Sequence, residues 1–128
     1  MWRGTVSEHS RRHRVADCLE DILDNITRIE GYTADLDRNA LERDGLRRDA
    51  VERCLERICE AAHRLGDRAT ALMPDQAWED IRGMGNRLRH AYDQIDRVIV
   101  WNVVSERLPR LKEDVARALE RLRAGGEV

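Results

Sequence analysis

The chain has 128 residues, enough for one domain around one hydrophobic core. Charged residues make up 38% and hydrophobic residues 41%, with two prolines and no phenylalanine, which suits a helical bundle and argues against a β-sandwich. The net charge of −2 gives no argument for a global attraction to nucleic acid or to a membrane. Lys112 is the single lysine. The remaining basic residues are arginines, which codon bias explains but which also suit bidentate phosphate contacts.

The first predicted helix carries Val15, Cys18, Leu19, Ile22, Ile26 and Ile29 at spacings of three and four, and is expected to stop near Gly31. Residues 32–45 are polar, with Leu36, Leu41 and Leu46 suggesting a loop with a short helix or an early start to the next one. The second helix presents Val51, Cys54, Leu55, Ile58, Ala62 and Leu65 and ends near Gly66. A third follows Pro74, with Asp75 as its expected N-cap and Trp78, Ile81, Met84 and Leu88 as its apolar face. The fourth starts between Asp93 and Asp96 and carries Ile95, Val98, Ile99, Val103 and Leu108. Pro109 is expected to kink or restart it, with Leu111, Val115, Leu119 and Leu122 continuing the stripe. Ile99, Val100, Trp101, Val103 and Val104 wrap more than one face, which suggests a subunit interface. The pattern is an all-α, up-and-down four-helix bundle and a homodimer, one domain over 1–128 with 1–10 and 124–128 expected to fray.

No run of about 18 apolar residues is present, so no transmembrane helix is expected. Arg11, Arg12 and Arg14 are not followed by the apolar run of a signal peptide. Cys18, Cys54 and Cys59 are odd in number and form no Cys-x-x-Cys pair, which reads as reduced thiols packed in the core of a cytoplasmic protein.

The stretch Gly83–Tyr92, GMGNRLRHAY, is where chemistry is expected. Each glycine inside a helix costs roughly 1 kcal/mol relative to alanine, so Gly83 and Gly85 suggest close approach of a backbone or ligand. Asn86 and His90 share a helix face, and histidine titrates near neutral pH. Arg82, Arg87 and Arg89 lie close enough in sequence to contact a phosphate; a solvated basic face is the plainer reading. Tyr92, two residues from His90, shares its face only if the helix ends there, and is otherwise a half-buried tyrosine. His9 and His13 have the spacing of some metal sites but no third ligand nearby, so no metal and no cofactor are expected. Asp17, Glu20, Asp21 and Asp24 read as a solvated acidic face.

From Arg14 to Leu122 the chain resembles the HepT-like family of the HEPN group. The resemblance is carried by RVADCLEDILDNITRIEGYT, RDAVERCLERICEAAHRL, WEDIRGMGNRLRHAYDQID and VIVWNVVSERLPRLK. It implies a homodimeric toxin of a bacterial toxin–antitoxin module, a metal-independent RNA endonuclease silenced when a partner minimal nucleotidyltransferase attaches AMP to a tyrosine. The family motif, Arg-x4-His-x-Tyr, then makes His90 catalytic and Tyr92 the AMP acceptor, with Asn86 matching the polar residue that follows the arginine. The arginine position is Gly85 here, which leaves Arg82, Arg87 or Arg89 to supply positive charge, Arg87 being the choice for the catalytic set. The competing reading is a non-catalytic nucleotide- or partner-binding subunit of a nucleotidyltransferase complex, favoured by Gly85.

Overall fold

A computed structural model describes residues 8–90 and 97–125, with side chains described over 14–88 and 100–125. Helix α1 spans Glu8–Thr33, α2 Arg38–Arg43, α3 Gly45–Leu65, α4 Asp67–Leu72, α5 Trp78–His90, α6 Arg97–Asn102 and α7 Leu108–Arg123. A π-helical segment, Val103–Arg107, joins α6 to α7. Among the described residues there is no strand, and no helix is long and apolar enough to cross a membrane.

The four long helices are the four read from the periodicity. Helix α1 is central: it packs on α3 and α7, and α3 packs on α5. Its seam of Leu19, Ile22, Ile26 and Ile29 is at most 1% exposed. Each such side chain contributes about 1.5–3 kcal/mol by leaving water. Val51, Leu55, Ile58 and Cys59 of α3 and Val115 of α7 complete the driest part of the core. Burial raises the thiol pKa of Cys18 and Cys54, which keeps both protonated at neutral pH, and none of the three cysteines is bridged.

Ionic contacts tie the outer flanks of α1 to its neighbours. Asp21 pairs with Arg64 of α3 at 2.8 Å, Glu30 with Lys112 of α7 at 2.9 Å, and Glu20 with Arg123. Glu20 and Asp21 of the acidic cluster are thus used in cross-helix pairs, each worth about 0–1 kcal/mol at such exposure.

Several boundaries differ from the sequence expectation. Helix α1 runs past Gly31 to Thr33, whose hydroxyl donates to the Ile29 carbonyl at 2.8 Å. Gly31 lacks the positive φ that a glycine stop uses, whereas Gly66, at φ 56°, has it and ends α3. The polar stretch, by contrast, holds both of the expected alternatives, a short helix and an early start to the next one: Asp37 accepts from the Ala40 amide at 2.8 Å and Asp44 from the Arg47 amide at 3.1 Å. Helix α5 begins at Trp78, later than an Asp75 N-cap would start it. Pro109 sits in the first turn of α7, where its missing N–H matters least. The preceding turn widens to π form, with the Leu108 amide bonded to the Val103 carbonyl, so the helical run continues where an α-helix would set the proline ring against the Ser105 carbonyl. The start of the fourth helix at 93–96 lies outside the described residues.

Ile22 lies at the middle of the α1 seam with no exposed surface. Ile22→Ala is expected to lower unfolding stability by about 2–5 kcal/mol, read from the midpoint of a urea transition, because the close-packed seam cannot collapse into the void.

Candidate functional site

Helix α5 turns Trp78, Ile81, Met84, Gly85 and Leu88 inward and Glu79, Gly83, Asn86 and Arg87 outward. Trp78 anchors its start: the indole N–H donates to the Met73 carbonyl at 2.9 Å, and the ring is 3% exposed. Gln76 in the preceding loop donates to the Asp114 carboxylate at 2.7 Å, and together with Arg117 holds that carboxyl below its usual pKa. From α7, Arg121 reaches the Leu72 carbonyl at 3.1 Å. The loop before α5 is therefore fastened to α7, although α5 itself barely touches that helix.

The gap between them is a groove of about 610 Å³. Ile58, Ile81, Met84, Val103, Leu108 and Leu111 supply most of its apolar lining, and Asp75, Asp80, Arg87, Glu106, Arg107 and Arg110 its charged lining. Asp80 and Arg107 face each other across it at 3.6 Å. The π segment contributes Val103, Glu106 and Arg107, so the widened turn forms part of one wall.

The expected site residues divide clearly. Asn86 and Arg87 are both exposed, Arg87 on the groove wall, and among the described residues Arg87 has no ion pair. Arg82 does not stand out as a solvent-facing phosphate ligand: its guanidinium donates to the carbonyls of Gly66 at 2.7 Å and Ala62 at 3.4 Å, at the C-terminus of α3. This caps the negative end of a helix with a cation. His90 is the last residue of α5, one turn beyond Asn86 and Arg87 in helical register. The side chains of Arg89 and His90, and Tyr92 altogether, lie outside the described residues, as do the side chains of His9 and His13. Among the described residues no three His, Cys, Asp or Glu side chains gather at metal-binding distance.

The two glycines also separate. A Cβ built on Gly83 meets nothing within 4 Å, so no backbone of this chain's own described residues makes the close approach expected there. Gly85 is buried on the inner side of α5. The stretch 100–104 is partly absorbed by the chain's own core: Val100 and Val103 are buried, while Trp101 and Val104 are half-buried against it, and the side chain of Ile99 lies outside the described residues. The sequence reading missed the groove and the capping role of Arg82. Both depend on where α3 ends relative to α5, which residue spacing within α5 does not encode.

The model of the HepT-like family, described as ribonuclease HepT-like, matches residues 22–118. A Methanocaldococcus jannaschii protein provisionally named RNase MJ1380 is 33% identical over 97 residues, covering 76% of this chain and 89% of that protein. A Thermococcus cleftensis protein provisionally named ribonuclease HepT is 34% identical over 102 residues, covering 80% of this chain and 91% of that one. No solved structure matches the chain. The chain belongs to the HepT-like family of ribonucleases.

With nothing in contact at its Cβ position, Gly83 costs helix stability without a packing return. Gly83→Ala should raise unfolding stability by about 0.5–1 kcal/mol, measured by thermal or urea unfolding.

Proposed function

We infer that this chain is an RNA endonuclease of the HepT type, the toxin of a toxin–antitoxin pair, that uses His90 as its acid/base and acts as a homodimer. The observation that carries the reading is the family match together with Arg87, exposed and without an ion pair among the described residues, one turn before His90 on α5. With Arg82 engaged at the end of α3, Arg87 is the better candidate for the positive charge that the family arginine would bring. Asn86 lies beside it with its side chain exposed. The half-buried Trp101 and Val104 leave apolar surface for a second copy.

The chemistry requires three roles. A base takes the proton of the ribose 2′-hydroxyl as that oxygen attacks the adjacent phosphorus. An acid protonates the departing 5′-oxygen. A cation stabilises the charge gathered on the phosphorane-like oxygens. An imidazole near neutral pKa serves as base or acid, a guanidinium as the stabiliser, and an amide orients the ribose or phosphate.

His90→Ala should lower RNA cleavage by about 10²–10⁴-fold while the helical circular dichroism stays unchanged. Equal cleavage by the two proteins would end the assignment of His90.

The proposed antitoxin is a minimal nucleotidyltransferase that attaches AMP to Tyr92. AMP there would place a bulky anion close in sequence to Arg89 and His90, where it would compete with RNA phosphate. Incubation with such an enzyme and ATP should add about 329 Da, mapped to Tyr92 and abolished by Tyr92→Phe. Modification at Tyr32 instead would overturn this assignment.

A second reading rests on Gly85, which stands where the family motif has arginine and is buried. It makes the chain a binding subunit of a nucleotidyltransferase complex. A stable complex with that enzyme, with neither AMP transfer nor RNA cleavage, would favour it.

A further inference from the structure

We propose that Arg82 is a positioning residue, which sets the angle of α5 and thereby the placement of His90 for RNA cleavage; this rests on the ribonuclease reading above. Its guanidinium makes the two hydrogen bonds that join the middle of α5 to the last turn of α3, to the carbonyls of Gly66 and Ala62. Those carbonyls lie at a helix terminus and take a cation well.

Helix α5 needs such a tie. It has 13 residues, and helices shorter than about 12–15 are marginal alone even with favourable sequences. Gly83 and Gly85 weaken it further. Among the described residues, the polar contacts that hold it precede Gly83: the Trp78 indole on Met73, Asp80 on Arg107, and Arg82 on α3. Toward α7 the described residues leave a groove, crossed by the Asp80–Arg107 pair near the start of α5, so little packing among them opposes a swing of the later half of the helix. Arg82 and His90 are eight residues apart, about 12 Å along a helix, so a tilt of about 5° at Arg82 displaces the end of α5 by about 1 Å. Misplacement on that scale can cost about 10²-fold in rate.

Arginine suits the task better than lysine. Its planar fork reaches two carbonyls at once and fixes a direction, whereas an ammonium supplies charge at one point. Arg82→Lys therefore keeps a cation near the end of α3 and gives up the angular constraint.

The test compares wild type, Arg82→Lys and Arg82→Ala on one single-stranded RNA, with kcat and KM measured across salt concentration. The expected result for Arg82→Lys is a kcat lowered about 10–100-fold, KM within about twofold, an unchanged salt slope and a melting temperature close to wild type. A raised KM with a salt slope reduced by about one would make Arg82 a phosphate contact and overturn the proposal. Unchanged kcat would overturn it as well. Amide hydrogen exchange supplies a readout that needs no RNA: in Arg82→Lys the amides of 86–90 should exchange about tenfold faster, while those of α1 keep their protection. Unchanged exchange over 86–90 would overturn the anchor role. If wild type fails to cleave RNA, the ribonuclease reading falls, and the exchange result still decides whether Arg82 holds α5. If Arg82→Ala does not fold, Arg82→Lys carries the test.

Discussion

The apolar seam of α1 is the constraint on which the other helices depend. Leu19, Ile22, Ile26 and Ile29 recur at the three- and four-residue spacing of a helix and are at most 1% exposed. One face of α1 meets both α3 and α7, so those helices take their places by covering the same stripe. The pairs Asp21–Arg64, Glu30–Lys112 and Glu20–Arg123 lie at the edges of this contact. They are exposed and individually weak, so the apolar seam carries most of the stability.

Helix α5 stands in a different position. It packs on α3 along one side and faces a groove on the other. A long central helix with a dry seam and a short, glycine-containing helix beside a groove divide the molecule into a rigid part and a weaker one. Function commonly sits on the weaker kind of element, because binding and adjustment draw on low local stability.

The π segment shows how one residue reshapes a wall. Pro109 cannot sit in an uninterrupted α-helix without losing a hydrogen bond and crowding the carbonyl four residues earlier. The chain answers with a wider turn over Val103–Arg107, and three residues of that turn line the groove. The proline therefore affects the surface opposite α5 as well as its own helix.

Much of this was legible in the residues alone. The four apolar stripes define an all-α bundle because the 3.6-residue period is a property of each segment by itself. The end of α3 at Gly66 and the position of Asn86, Arg87 and His90 along a single helix follow in the same way, from local backbone preference and register. The stop expected at Gly31 did not occur, since a glycine permits a left-handed turn without requiring one. Only the tertiary structure decided that Gly83 has nothing near its Cβ position, that Gly85 is buried, that Arg82 caps α3, and that α5 and α7 leave a groove between them. Each of these depends on the distance between helices far apart in the chain. Spacing along one helix states which face a residue occupies; what stands opposite that face is set by how the other helices pack.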